Sequence, residues 1–221
     1  MARISPNPAS LSTRRSNTTM ASIKLKNVRI AFVDDLRRAA QFDGQGAFRY
    51  SATFLIEPGS ENDKIVNDAI LEAATDAWAK KAEAMLAGFR GNTNKFCYID
   101  GNTKPDYEGF EDMFYLSSHR KQDDGRPLLL DNVIDHETGK IARLVDANGE
   151  WLPGKEGRIY AGCYVNATLD IYAQTKNYPG IRASLKGVQF AADGDSFSGA
   201  RRANEDDFEA AAPVEAEDDL A

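Results

Sequence analysis

Cysteine and histidine are scarce: two of each stand among 221 residues. Cys97 and Cys163 lie too far apart for a Cys-x-x-Cys pair, which leaves no disulfide framework and no zinc site of that spacing. They are expected as half-buried thiols of a reducing compartment. Neither His119 nor His136 has the Cys or Ser neighbours that a nucleophilic site needs. No apolar run approaches the roughly 18 residues of a membrane-spanning helix. The first residues contain no continuous apolar stretch that would make a secretory signal. Gly44-Gln45-Gly46 lacks the third glycine and the strand-to-helix setting of a dinucleotide loop, and no Walker A pattern occurs. These absences argue against an enzyme and against any cofactor or metal. One set of residues speaks the other way: Asp131, Asp135, His136 and Glu137 could be drawn as ligands of a metal-dependent nuclease. However, the stretch from Asp135 to Lys140 is hydrophilic and contains Gly139, as an exposed turn does, whereas hard cations need oxygens converging from rigid elements.

Charge is present, and its placement is informative. There are 27 basic and 34 acidic residues, a net charge of −7. Residues 204–221 hold eight of the acids and no base, so the rest of the chain stands at +1. Such a segment cannot bury enough apolar surface to fold alone and reads as a solvated interaction tail. A tail that only keeps the chain in solution is the plainer alternative. Residues 1–19 are rich in Ser, Thr, Asn and Pro and carry Arg3, Arg14 and Arg15, with no apolar period. They read as a disordered leader or an upstream-start extension ahead of Met20-Ala21-Ser22. The folded domain is thus expected over residues 20–203, between a leader and an acidic tail at 204–221.

Within that domain the apolar pattern is mostly of period two. Residues 23–33 alternate and change phase near Asn27, as a bulged strand does. Residues 34–46, with Arg37, Arg38 and Phe42, read as a loop. Residues 47–57 alternate again, with Phe48, Tyr50, Ala52, Phe54 and Ile56 on one face. Ser60 and Asp63 match a capping box, and an Ala-rich helix follows to about residue 87, with Ile70, Ala74, Trp78, Met85 and Phe89 on one stripe. Gly88 and Gly91 are its stop signals. Short strands are expected at residues 113–118 and 128–134, and a hairpin at 141–151 around Asn148-Gly149. Residues 159–173 form a long strand with an unbroken aliphatic face at odd positions. Its even positions carry Tyr160, Tyr164 and Tyr172. Residues 181–190 follow, changing phase at Gly187. The fold expected is mainly β with one long helix: an OB-type antiparallel barrel with the helix inserted after the second strand. A sandwich is the alternative.

Sequence-tolerant binding of single strands needs aromatic faces for bases and cations that follow the phosphates. Tyr160, Tyr164 and Tyr172 offer the faces. Arg182 and Lys186, with Lys24, Lys26 and Arg49, offer the cations. The alternative is that these tyrosines pack beneath the hairpin or the helix. A third class of reading is a phage-type assembly or scaffolding protein, with tail and helix serving protein contacts.

The stretch Gly180-Ile181-Arg182-Ala183-Ser184-Leu185-Lys186-Gly187-Val188-Gln189-Phe190, the Tyr-bearing strand before it and the acidic end resemble phage-encoded single-stranded DNA-binding proteins. Lys24-Leu25-Lys26-Asn27-Val28-Arg29 and Phe54-Leu55-Ile56-Glu57-Pro58 fit the same group. The resemblance implies an OB fold, no catalysis, and a role in phage DNA replication and recombination in the cytoplasm of the infected bacterial host. It also implies partners: single-stranded DNA, replication proteins such as a polymerase or helicase through the tail, duplex DNA once the tail is removed, and a homo-oligomer as an option. The tail residues concerned are Glu205, Asp206, Asp207, Phe208, Glu209, Glu215, Glu217, Asp218 and Asp219. Some members end in an aromatic residue after the acids. Here the last residues are Asp219-Leu220-Ala221, and Phe208 lies well inside the tail.

Overall fold

The period-two segments become strands that close on one another. In the computed structural model, which describes residues 20–42 and 44–197, the first is β1 (Met20–Ala31). The leader and the acidic tail lie outside the described residues. Ala21, Ile23, Leu25, Val28 and Ile30 of β1 are buried. The expected change of phase is a register shift between Leu25 and Val28 against β8 (Tyr164–Gln174). Asn27 sits there at φ 50°, a conformation that asparagine tolerates better than most residues.

The expected loop at 34–46 holds more order than its composition suggested. It contains a single helical turn, α1 (Asp34–Arg37), and a short strand, β2 (Ala40–Phe42), which forms a hairpin with β3 (Gln45–Ile56). The helix α2 (Glu61–Trp78) then starts as predicted: Ser60 Oγ accepts the Asp63 N–H at 3.2 Å, and the Asp63 carboxylate accepts the Gly59 N–H at 2.8 Å. Val66, Ala69, Ile70, Ala73 and Ala74 form its buried stripe. The helical stretch is not continuous. Ala79 takes φ 48° and opens a 3-10 turn (Ala79–Lys81) before α3 (Ala82–Phe89), which contains Gly88 instead of stopping at it. Trp78 and Phe89 meet edge to face across this break.

Strands β4 (Tyr98–Asp100), β5 (Phe114–Lys121), β6 (Leu128–Ile134) and β7 (Ile141–Arg143) follow, then β8 and β9 (Gly180–Ala192). The hairpin expected at 141–151 is completed by a bridge between Val145 and Trp151. Strand β8 begins five residues later than the alternation indicated. Gly162 turns the chain at φ 102°, and a Cβ there would collide with the Asp195 carbonyl, so residues 159–161 pass beneath a C-terminal strap, and Gly162 and Cys163 bond to β1 only at Ile30. The phase change at Gly187 is a register shift that leaves Lys186 as the extra residue between Leu185 and Gly187.

Pairing runs β4-β5-β3-β1-β8-β9-β6-β7, and β5 also touches β9. Strands β1, β3, β5, β9 and β8 therefore form a ring, the OB-type order, with α2 and α3 inserted after the second ring strand. The ring closes through one parallel bridge, His119 to Ser184, and β6 also runs parallel to β9, so the expected antiparallel pattern holds except along β9. Phe54, Leu116, Leu169, Leu185 and Phe190 fill the ring, and the helix stripe joins the same core. Both cysteines are buried, not half-buried, and burial pushes the Cys97 thiol up to about 12. No helix among the described residues is long and apolar enough to cross a membrane.

Candidate nucleic-acid interface

Alternation puts one side chain in two on the outside of the ring, and register decides which of them meet. Across β1, β8 and β9 the first row is Met20, Tyr172 and Arg182, and the next is Ser22, Asp170 and Ser184. Ser184 faces His119 on β5, His119 faces Ser51 on β3, and Arg49 stands one outward position further, opposite Lys121. A single band thus crosses all five ring strands from Tyr172 and Arg182 to Arg49. Its electrostatics are coupled. His119 is exposed on β5, yet partial desolvation holds it below the ordinary imidazole value, and the charges of Arg49 and Arg182 add to the effect. Burial pushes the Tyr172 phenol up, while Arg182 and Arg49 pull it back.

The predicted residues divide by how far they are already engaged. Lys24 and Lys26 are exposed on β1, and among the described residues neither forms an ion pair. The Lys26 backbone is clamped by Asn62 of α2 through two hydrogen bonds of 3.1 and 2.9 Å. Arg49 is exposed. Arg182 is half-buried and donates to the Asn94 carbonyl at 2.6 Å. Lys186 Nζ lies 2.8 Å from Asp170 Oδ2, so the bulge that displays it also gives it a counter-charge. Tyr164 and Tyr172 are half-buried on the outer face of β8. Tyr160 lies before the strand. Its hydroxyl accepts the Gly194 N–H at 3.0 Å and sits 2.9 Å from the Gly194 carbonyl and 3.0 Å from Asp193 Oδ1.

That hydroxyl belongs to a strap over the end of the sheet. Arg29 donates to the Gly162 and Asp195 carbonyls and stacks on the Phe197 ring, 4.2 Å from its centroid. The Phe197 N–H donates to the Ala161 carbonyl. Gly109, at φ 81°, leaves the space the Phe197 ring occupies.

Three exposed aromatic faces had not been assigned to the site from sequence. Phe42 is 84% exposed at the end of β2, Phe48 47% near the start of β3, and Tyr178 83% in the β8–β9 loop. The signal for Tyr178 was its setting in Lys176-Asn177-Tyr178-Pro179, a turn between two strands. For Phe48, alternation suggested core, but β3 runs past the ring at that point, and inward-facing burial begins at Tyr50. The acids drawn as metal ligands do not converge. Asp131 is buried against Lys155 at 2.7 Å and Arg158 at 3.2 Å, and the Asp135 carboxylate accepts the N–H groups of Glu137 and Thr138 in its own turn. No cluster of three potential ligands occurs among the described residues.

The model of the family described as Enterobacter phage Enc34, ssDNA-binding protein, matches residues 21–221. Protein p50 of Acyrthosiphon pisum secondary endosymbiont phage 1 is 39% identical over 202 residues, covering 90% of this chain and 98% of that protein. Among solved structures, the single-stranded DNA-binding protein from bacteriophage Enc34 in complex with ssDNA is similar with a TM-score of 0.59 at 21% identity, over 80% of this chain and 89% of that one. A C-terminal truncation of the same phage protein gives 0.56 at 22%, over 80% and 88%. At such identities these structures bear on the fold.

Proposed function

This chain belongs to the family of the Enterobacter phage Enc34 ssDNA-binding protein, and we propose from that premise that it binds single-stranded DNA, largely regardless of sequence, without catalysis. The observation that carries the reading is the band on the outer face of the ring, where Tyr172, Arg182, His119 and Arg49 share one electrostatic environment. Bases stack on Tyr172 and Tyr164, and on Phe42, Phe48 and Tyr178 at the margins, each stacked base contributing about 1–3 kcal/mol. Phosphates meet Arg49, Arg182, Lys24 and Lys26, and meet Lys186 where its bond to Asp170 yields. Tyr160 acts as a positioning residue through the strap.

The role follows from such binding: protection and presentation of single strands during phage DNA replication and recombination, in the cytoplasm of the infected host. Residues 204–221 compete with phosphates for these cations and dock replication proteins such as a polymerase or helicase. Their removal opens the face to duplex DNA as well. The domain limits of 20–203 and 204–221 are part of the same proposal.

The test is a fluorescence titration with oligo-dT at two salt concentrations. Affinity should fall with salt at a log–log slope of about −0.7 per phosphate contacted. An affinity that does not change with salt overturns the assignment of the cations.

A further inference from the structure

Outside the ring, the β6–β7 hairpin leaves apolar surface uncovered. Its cross-strand pair Ile134 and Ile141 is 53% and 41% exposed, and neighbouring Val133 is 44% exposed. With Ala142 and Leu152 they floor an open groove of about 710 Å³. Its rim is cationic. Lys140 and Arg143 line it, and among the described residues neither has an ion-pair partner. The third cation, Lys155, is committed to Asp131. The one carboxylate in the lining, Asp135, is turned onto the backbone of its own turn.

This chemistry differs from that of the ring face. No Phe, Tyr or Trp lines the groove, and its one aromatic ring is the His136 imidazole, so it offers no platform for successive bases. What fits it is a peptide in which carboxylates are interspersed with apolar side chains. Residues 204–221 have that composition: eight acids, no base, and Phe208, Val214 and Leu220 between them. Reach does not limit the contact. The 24 residues after Phe197 span up to about 80 Å when extended, against about 40 Å across a domain of this size.

We infer that the β6–β7 groove is a seat for the chain's own acidic segment, 204–221. Lys140 and Arg143 answer its carboxylates, and its apolar residues cover Ile134 and Ile141. The segment then has two cationic surfaces to choose between, and DNA on the ring face leaves it the groove. The groove shares no residue with the ring face, so it stands or falls separately from the DNA reading.

Zero-length carbodiimide cross-linking of the full chain, read by mass spectrometry with and without saturating oligo-dT, tests this. Carboxylates of 204–221 should join Lys140 in about tenfold excess over exposed Lys64 and Lys80, which lie on neither surface, since one apolar contact changes a local equilibrium by about that factor. The excess should persist or grow with oligo-dT. Ile134→Ser with Ile141→Ser, both at exposed positions, should lower the Lys140 yield about tenfold with the thermal unfolding curve unchanged. Even yields across the lysines, loss of the Lys140 product with oligo-dT, or indifference to the isoleucine substitutions overturns the inference. So does a product formed chiefly between differently isotope-labelled copies, which makes the occupant a second chain. Oligo-dT affinity in the same samples reports separately on the ring face.

Discussion

The β8–β9 pair and the β6–β7 pair are both antiparallel, and they use apolar residues in opposite ways. Along β8–β9, eleven matched positions put Val165, Leu169, Ile171, Ile181 and Leu185 wholly inside, while tyrosines and arginine share the outside with small polar groups. Along β6–β7, two matched positions leave isoleucines in the open and buried aspartate beneath. Length of pairing is the difference. A long ladder separates two faces cleanly, whereas a two-pair hairpin at the end of a sheet has too little neighbouring structure to cover its apolar side. Cations follow the same division: Arg182 and Lys186 are held by acceptors, but among the described residues Lys140 and Arg143 have no ion-pair partner.

The sharpest way to test the contrast is to damage each pair at one apolar residue. Leu169→Ala should cost about 3 kcal/mol in urea unfolding, as fully buried leucines do, while Ile134→Ser should stay within about 0.5 kcal/mol. Equal losses would mean that the hairpin is covered after all.

Next in size is Asp131→Asn, expected to cost about 2 kcal/mol near neutral pH, because it leaves Lys155 and Arg158 without their shared partner. Burial alone would raise this carboxyl, but the hydrogen bonds from Lys155, the Asn132 N–H and Arg158 hold it below the ordinary value of 3.8. A depressed carboxyl contributes stability above its unfolded pKa, and that contribution is lost as pH falls through the folded value. The difference between variant and parent should therefore shrink in acid denaturation below about pH 4. A constant difference would assign the role to packing.

Binding should separate the two regions again. In the chain truncated after residue 203, Tyr172→Ala should weaken oligo-dT by about 1–2 kcal/mol, and Arg49→Ala should flatten the salt slope by about 0.7, while Arg143→Ala leaves both unchanged. If Arg143→Ala flattens the slope as much, the DNA path runs over both surfaces.

The smallest expected effect concerns His119. Its depressed pKa comes from partial desolvation, then Arg49 and Arg182, and phosphates on those arginines relieve the repulsion and raise it. A bound state that takes up a proton is favoured as pH falls, so affinity should rise as pH drops below the ordinary imidazole value of 6.5, by less than about tenfold. His119→Gln should remove that dependence.

Local chemistry was legible in the sequence: the bulge near Asn27, the Ser60 cap, the phase change at Gly187 and the β6 limits all follow from neighbours within a few residues. The candidate site was legible only as a face. Alternation says which side chains share a side of a strand, and not where the ring ends, so Phe48 was grouped with core residues and Tyr160 with a strand that starts at Tyr164. Nor does it say which charges already have partners. Arg182 bonds to Asn94, 88 positions away, and no spacing rule links the two.

The strap at residues 193–197 has a practical consequence. With Phe197 seated against Arg29 and Gly109, everything encoded after it departs from a known point on the surface. A spacer inserted beyond that residue lengthens the leash without moving its anchor. Graded spacers therefore turn the acidic segment into a ruler, and cross-link yield against spacer length should report the distance from that anchor to whichever lysine the segment meets.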